Sequence, residues 1–184
     1  MAKVLLPLAS GFEEIEAIGI IDVLRRSGIE VIVAGVDGDI IEGANKILVK
    51  SDCSINNITS IDDIDMIVLP GGWGGTKVLA ENEKVQNLLK EMDSKNKKIG
   101  AICAAPYALE KAGVLKEGFT CYPSVEDEIK TGGYTSKERV VISENIMTSR
   151  GPGTAICFGL AIVKKLVSQE IYLQLKGGLL ADFC

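Results

Sequence analysis

Residues 98–108 read KIGAICAAPYA, and the predicted fold is arranged around this stretch. Residues 99–102 are apolar or small, as at the end of a buried strand, and residues 104–112 have a composition typical of a helix. Cys103 therefore lies at a predicted strand-to-helix corner, the nucleophile elbow that exposes a reactive side chain in several enzyme folds. The alanines on both sides of the sulfur permit the sharp reversal that this corner requires.

Two interpretations of Cys103 are open from its position alone. At the start of a helix, free N–H groups and the positive end of the helix dipole favour a thiolate over a thiol, which makes the sulfur reactive. A buried cysteine also commonly serves as a small hydrophobic side chain with no chemistry of its own.

Length, charge and hydropathy limit the class of protein. The 184 residues are expected to form one domain, residues 1–184, with a substantial core. The 20 basic and 25 acidic residues give a net charge of -5, and the basic ones are scattered, so we expect no nucleic-acid partner. The sequence contains no apolar run long enough for a membrane span, and its N-terminal apolar run is too short for a signal peptide. We therefore expect a cytoplasmic protein.

Cysteine and histidine counts restrict the chemistry. The five cysteines form no CxxC pair, which favours a reducing compartment over a disulfide framework and offers no zinc site. The absence of histidine excludes a Ser-His-Asp triad, a Cys-His dyad and an HExxH metal site. A general base must then be a carboxylate, a lysine, a tyrosine or the thiolate itself. We expect neither a metal nor a cofactor, since the PGGWGG segment at residues 70–75 lacks the lysine of a phosphate-binding P-loop.

Strands and helices alternate along the chain. The pattern predicts strands at residues 2–9, 30–35, 66–69, 99–102, 140–143 and 146–149, a small hairpin around residues 40 and 47–49, and helices at residues 13–27, 82–93, 104–112 and 155–166. Weaker patterns favour a strand at 119–122, a short helix at 125–130 and a continuation of the last helix after Ser168. This alternation predicts an α/β fold with a mostly parallel sheet and helices on both faces.

Three predicted strand ends carry residues suited to chemistry. They are the acids Glu13, Glu14 and Glu16 after the first strand, the segment Pro70-Gly71-Gly72, and Cys103. Sites in open α/β sheets form beyond the carboxyl ends of the strands, so these segments are expected to converge. The glycines allow close approach of backbone N–H groups, which together with the N–H of Ala104 can form an anion or oxyanion hole.

The helical spacing leaves open which of the three acids points inward. Acids in the first turn of a helix are usually solvated, and we expect this of two of the three. Glu14 and Glu16 each precede a row of apolar residues. A buried carboxyl would have a raised pKa and, when protonated, would donate a hydrogen bond to a neighbouring thiolate.

Four motifs in register resemble the ThiJ/PfpI superfamily, in the branch of the human parkinsonism-associated deglycase and its bacterial relatives. They are GFEEIEA at residues 11–17, VLPGG at 68–72, AICAAP at 101–106 and SRGPGTAICFGLAIV at 149–163. The resemblance covers nearly the whole chain. It implies a flavodoxin-like sandwich of the class I glutamine amidotransferase type, a homodimer, and a reactive cysteine at Cys103.

Motif matching implies specific site residues. The acid paired with the cysteine falls on Glu16, and the oxyanion-type amides fall on Gly72 and Ala104. Gly71 and Tyr122 are possible pocket residues. The sequence departs from the family at two places: Ala104 stands where protease-like members have histidine, so peptidase activity does not carry over, and Tyr122 stands where the deglycase branch often has histidine before a proline.

The resemblance supports two classes of function. The leading hypothesis is a cysteine-dependent stress-response enzyme acting on small reactive carbonyls, either a glutathione-independent glyoxalase (a lyase) or a deglycase (a hydrolase). The alternative is a non-enzymatic redox sensor or chaperone in which an oxidant converts Cys103 to a sulfinate. A weaker alternative is the thiamine-biosynthesis label, for hydroxyethylthiazole phosphate, that some members carry.

A second copy of the chain is the expected protein partner. Besides the resemblance, the predicted first helix is apolar on more than one face. Its apolar residues are Ile15, Ala17, Ile18, Ile20, Ile21 and Val23.

Overall fold

The computed structural model describes residues 1–184 and contains a seven-stranded sheet. The strands of the chain are β1 (Lys3–Leu8), β2 (Glu30–Gly35), β3 (Ile40–Glu42), β4 (Leu48–Lys50), β5 (Cys53–Ser54), β6 (Met66–Leu69), β7 (Lys98–Ile102), β8 (Val140–Ser143) and β9 (Ile146–Ser149). The helices are α1 (Glu14–Arg26), α2 (Trp73–Glu81), α3 (Glu83–Ser94), α4 (Pro106–Ala112), α5 (Ala155–Leu166) and α6 (Gln169–Gly178).

The main sheet is mostly parallel, as predicted. Its strand order is β5-β2-β1-β6-β7-β9-β8, and only β8, at one edge, runs antiparallel to its neighbour β9. The strands β3 and β4 form the separate hairpin that the sequence predicts. Every residue of β6 is buried, as expected of a central strand covered on both faces.

The helices form two groups. Helix α1 packs on α5, which also packs on α6, whereas α2, α3 and α4 pack on one another. All main strands predicted from the sequence are present, and β1, β6 and β7 lie side by side at the centre. Their carboxyl ends bring the first helix, the Pro70-Gly71-Gly72 segment and Cys103 to the same edge, as predicted for this flavodoxin-like architecture.

Helix α2 is not predicted by the sequence pattern. It begins with Trp73 followed by two glycines, which are poor helix formers. These glycines serve packing: a Cβ on Gly75 would lie 2.9 Å from the backbone nitrogen of Phe12. Close contact between α2 and the turn after β1 therefore outweighs the local preference.

Three further features of the structure differ from the predictions. Residues 119–122 form no strand, and only Phe119 makes an isolated bridge, with Tyr134. Helix α4 begins at Pro106, two residues later than predicted. The expectation of unpaired cysteines is wrong at one place: Cys157 and Cys184, 27 residues apart in sequence, form a disulfide that ties the end of the chain to α5. Their spacing fits none of the short motifs that mark paired cysteines.

None of the helices is long and apolar enough to cross a membrane.

Candidate active site

Cys103 lies immediately after β7 in the left-handed backbone region, with φ 64°. This conformation is uncommon for a residue with a side chain and is maintained only where the surroundings enforce it. Here the Cys103 N–H donates to the carbonyl of Ser149 at 3.0 Å, and the Tyr122 N–H donates to the Cys103 carbonyl at 2.9 Å. The residue is 8% exposed and lines a cleft.

Glu16 is the acid that the fold places beside Cys103. Helix α1 begins at Glu14, and the carboxylate of Glu13 caps it by accepting a hydrogen bond from the Glu16 N–H at 2.8 Å. This cap sets the rotation of the first turn and directs Glu16 inward, where it is 0% exposed. The Gly71 N–H donates to Glu16 Oε2 at 2.7 Å, whereas Oε1 is buried with no aligned hydrogen-bond donor.

Gly71 packs against both reactive side chains. A Cβ at this position would lie 2.5 Å from both the Cys103 Cβ and Glu16 Oε2. Such distances are impossible for real atoms, so no larger residue fits while both side chains keep their places. Gly72 has φ +87°, which favours glycine, and its backbone lies against Glu13.

The two titrating groups are linked through their charges. Burial raises the pKa of Glu16 to about 7, although contact with Cys103 and the Gly71 N–H opposes the rise. Burial and then the negative charge of Glu16 raise the pKa of the Cys103 thiol to about 12, against the N–H groups of Gly72 and Ala104, which lower it. Protonation of Glu16 removes one cause of the high thiol pKa, so the thiolate is favoured when Glu16 carries the proton.

The expectation that the position of Cys103 favours the thiolate is wrong, because burial and then the charge of Glu16 raise the thiol pKa to about 12. Helix α4 begins three residues after Cys103, and the thiol is not at a helix terminus. The backbone N–H groups of Gly72 and Ala104 oppose the rise of the thiol pKa but do not outweigh it.

The expectation that two of the three acids are solvated is wrong. Glu14 is 5% exposed and, like Glu16, is buried. Its carboxylate accepts hydrogen bonds from the backbone N–H of Asn45, at 2.5 Å, and from Asn45 Nδ2, at 2.9 Å. Burial alone would raise the pKa of Glu14, but these hydrogen bonds lower it overall, so Glu14 is an ionised structural link between α1 and the β3–β4 hairpin.

A cleft of about 520 Å³ opens above the sulfur. Its walls are Glu13, Trp73, Cys103, Ala104, Tyr122, Ser124, Val125, Glu128 and Pro152. Tyr122 is at the predicted pocket position. Trp73 packs against Tyr107 with ring centroids 5.3 Å apart, which gives the cleft a rigid aromatic wall.

Sequence reasoning missed several cleft residues. Val125, Glu128 and Pro152 come from segments distant from Cys103 in the chain, and their spacing carries no chemical signal. Only the return of the chain beside β7, where Ser149 accepts from Cys103, brings Pro152 to the site.

The remaining cysteines have different surroundings. Cys53 and Cys121 are unpaired. Burial and then the nearby Glu126 carboxylate raise the pKa of the Cys121 thiol to about 12. No group of three or more histidine, cysteine, aspartate or glutamate side chains is arranged to hold a metal ion.

Residues 2–165 match the DJ-1/PfpI family. The chain belongs to this family. The cysteine elbow and the buried glutamate at the ends of β7 and β1 thus occur on the fold that the four sequence motifs predict, and the family resemblance is confirmed.

The chain covers its individual relatives to different extents. The chain is 39% identical over 176 residues to the DJ-1 homologs A and B of Arabidopsis thaliana, but it spans only 44% and 40% of their lengths. It is 34% identical over 181 residues to the glutathione-independent glyoxalase DJ-1 of Schizosaccharomyces pombe, covering 94% of this chain and 95% of that protein.

Solved structures agree with the fold. The crystal structure of Drosophila melanogaster DJ-1beta has a TM-score of 0.94 and 40% identity, with 97% of each chain covered. The oxidized DJ-1 of Toxoplasma gondii has a TM-score of 0.91 and 36% identity, with 98% of each chain covered.

Proposed function

We propose that this protein is a cysteine-dependent enzyme that converts small reactive carbonyls, in the manner of a glutathione-independent glyoxalase. The observation that carries the proposal is the placement of a fully buried Glu16, held by the Gly71 N–H, beside Cys103 at the base of an open cleft. A relative over nearly the full length is named as such a glyoxalase.

The proposed reaction with methylglyoxal begins with addition. The Cys103 thiol gives its proton to ionised Glu16, the sulfur forms a bond to the aldehyde carbon, and Glu16 passes the proton to the aldehyde oxygen, which yields a hemithioacetal. Glu16 is suited to this step because its pKa of about 7 allows it to give and take a proton near neutral pH. The N–H groups of Gly72 and Ala104 stabilise negative charge on the sulfur before the attack.

An internal oxidation and reduction then completes the reaction. Glu16 moves a proton from the first carbon to the neighbouring ketone carbon, and the hydroxyl proton of the hemithioacetal passes to the ketone oxygen. The first carbon thereby reaches the oxidation level of a thioester, and the ketone becomes an alcohol. Water cleaves the thioester, releasing lactate and restoring the thiol. Methylglyoxal and water together contain all atoms of lactic acid, and no external oxidant is needed.

Charge in the cleft favours an uncharged substrate. Glu13 and Glu128 are the charged side chains of its walls, and no lysine or arginine lines it. A carboxylate or phosphate on the substrate would be repelled by these acids. We therefore infer that neutral aldehydes such as methylglyoxal react in preference to anionic ones such as glyoxylate.

Steady-state turnover of methylglyoxal tests the proposal. Wild type should produce lactate, and Cys103→Ser should lose this activity. Cys53→Ser, which alters a partly exposed thiol outside the cleft, is the matched control and should keep it. Equal turnover by wild type and Cys103→Ser, or no turnover by wild type, would contradict the proposed enzymatic function.

A second candidate function uses the same sulfur as a redox sensor. It is favoured by the backbone N–H groups of Gly72 and Ala104, which can hold the oxygens of a sulfinate, and by the existence of an oxidized relative. Peroxide would convert the thiolate first to a sulfenic and then to a sulfinic acid, with one peroxide consumed in each step. Peptide mass spectrometry after mild peroxide should find Cys103 modified before Cys53 and Cys121.

We further propose how the protein is organised, how it assembles and where it acts. Residues 1–184 would act as one domain, and two copies would form a cytoplasmic homodimer.

A further inference from the structure

A second and larger cleft lies between the segment before β8, the outer face of α5, and α6. Its volume is about 880 Å³. It is separate from the cysteine cleft and shares no lining residue with it. Its walls are Ser136, Lys137, Glu138, Arg139, Val140, Ile142, Arg150, Thr154, Cys157, Ala161, Lys164, Lys165, Tyr172 and Cys184.

Positive charge is concentrated in this cleft although the whole chain has a net charge of -5. Five of its lining residues are basic, namely Lys137, Arg139, Arg150, Lys164 and Lys165, and Glu138 has the only acidic side chain. None of the five forms an ion pair, whereas other lysines and arginines of the chain do. Scattered in sequence, these cations are brought together by β8, β9 and α5.

Arg150 is one of the cations that line this cleft. It follows β9 directly and is only partly exposed. Its Nε is buried and has no hydrogen-bond partner, although Tyr134 lies close enough to interact with another part of the guanidinium. Because this Nε is out of reach of solvent, it is also out of reach of a molecule in the cleft, and Arg150 contributes to the site through its charge.

We propose that this cleft binds a small molecule carrying two or more phosphate groups. Arginine guanidinium groups recognise phosphate oxygens in pairs, and lysines add compact positive charge around them. The volume lies in the range of small-molecule sites, and the concave shape suits a metabolite rather than a nucleic-acid backbone. This site does not depend on the chemistry of Cys103.

Titration calorimetry with inorganic pyrophosphate at an ionic strength of about 0.15 M tests the site. Wild type should bind one equivalent with a Kd of about 1 mM or tighter. Citrate, a small anion without phosphate, should bind more weakly. A short single-stranded oligonucleotide should not displace pyrophosphate at equal charge concentration.

Paired variants separate a built site from general attraction. Arg139→Gln with Lys164→Gln should weaken pyrophosphate binding at least about tenfold, because hydrogen bonds to charged groups are lost. Lys50→Gln with Lys90→Gln removes two exposed, unpaired charges outside the cleft and should leave the Kd unchanged. Both variants should retain the methylglyoxal turnover of wild type.

Three results would overturn the proposal. They are the absence of saturable pyrophosphate binding by wild type, equal weakening in both double variants, and preferential binding of citrate or the oligonucleotide. Loss of methylglyoxal turnover in wild type would instead concern the cysteine site and leave this inference standing.

Discussion

Glu16 makes the stability of the protein depend on pH. Its pKa is near 4.5 in an unfolded chain and about 7 in the folded protein, so between these values the folded state binds more protons. Stability from this group is therefore fully present below about pH 4.5 and is lost as the pH rises through 7. The shift corresponds to about 3 kcal/mol at most.

Denaturant unfolding at pH 5 and pH 8 checks this dependence. Relative to Glu16→Gln, wild type should lose up to about 3 kcal/mol of unfolding free energy between the two pH values, because glutamine does not ionise. A difference between the two proteins that stays constant with pH would mean that Glu16 has an ordinary pKa.

The same substitution separates the proton transfer from the reactivity of the sulfur. Glutamine keeps the size of Glu16, can accept from the Gly71 N–H and can donate to the thiolate, but it cannot exchange a proton. Because general acid–base catalysis contributes about a hundredfold to ten-thousandfold, methylglyoxal turnover by Glu16→Gln should fall at least a hundredfold. Labelling of Cys103 by iodoacetamide near neutral pH should not fall below that of wild type, since burial still raises the thiol pKa but the Glu16 charge that adds to it is gone.

Glu14→Gln is the matched control, because Glu14 is a buried acid of the same helix turn that faces Asn45 instead of the sulfur. It should keep turnover. If Glu14→Gln abolishes turnover while Glu16→Gln does not, the assignment of the acid is wrong.

At the residue scale, the sequence identified Cys103 as a candidate site residue from its position between a predicted strand and a predicted helix. It could not choose between Glu14 and Glu16 by periodicity, because both are buried, each against a different partner. The choice depends on the cap by Glu13 and on Gly71, which are tertiary contacts.

A substitution at Gly71, in the turn after β6, tests how closely this turn must approach Cys103 and Glu16. Gly71→Ala would place a methyl group against Cys103 and Glu16, and also 2.8 Å from the carbonyl of Ile102. Overpacking of this kind typically costs about 1–3 kcal/mol, and methylglyoxal turnover should fall as the two side chains move apart.

Gly153→Ala is the matched control for this change, since a Cβ added at Gly153 would have nothing within 4 Å. Its unfolding free energy should remain within about 0.5 kcal/mol of wild type. If Gly71→Ala kept full stability and turnover, the loop after β6 would have space for a methyl group, contrary to the structure.

The disulfide stabilises the attachment of α6. This helix has no buried residue and contacts the core through half-buried side chains such as Tyr172 and Leu175. A bridge closing 27 residues of sequence should contribute about 2–4 kcal/mol. Reductant should lower the unfolding free energy of wild type by this amount and have no effect on Cys184→Ser. Equal stability of wild type with and without reductant would contradict the bridge.

At the element scale, predictions succeeded where the hydrophobic period was strong and failed where packing decided. The central strands have continuous apolar runs, whereas α2 begins with glycines that only the neighbouring backbone explains. The bridge between Cys157 and Cys184 was not predictable, because two distant cysteines carry no spacing signal.

At the scale of the whole molecule, an apolar surface extends across two elements. Ile15 is 62% exposed and Ile18 is 43% exposed, both on α1. The β3–β4 hairpin adds exposed Ile40, Ile47 and Leu48, and the Glu14–Asn45 hydrogen bonds hold it beside the start of α1. The sequence predicted a helix apolar on more than one face, but not that the hairpin would lie beside it.

Exposed apolar side chains on neighbouring elements are typical of an interface, and in a two-fold dimer the same surface faces itself. Sedimentation at micromolar concentration should therefore show a species of twice the chain mass of 19.6 kDa. Ile18→Glu should shift this species toward the monomer, because pairing would place two unpaired charges in an apolar interface. Leu173→Glu, which adds the same charge at an exposed leucine on α6, should leave the dimer intact. Wild type sedimenting only as a monomer, or dissociation by both substitutions alike, would reject the homodimer through α1.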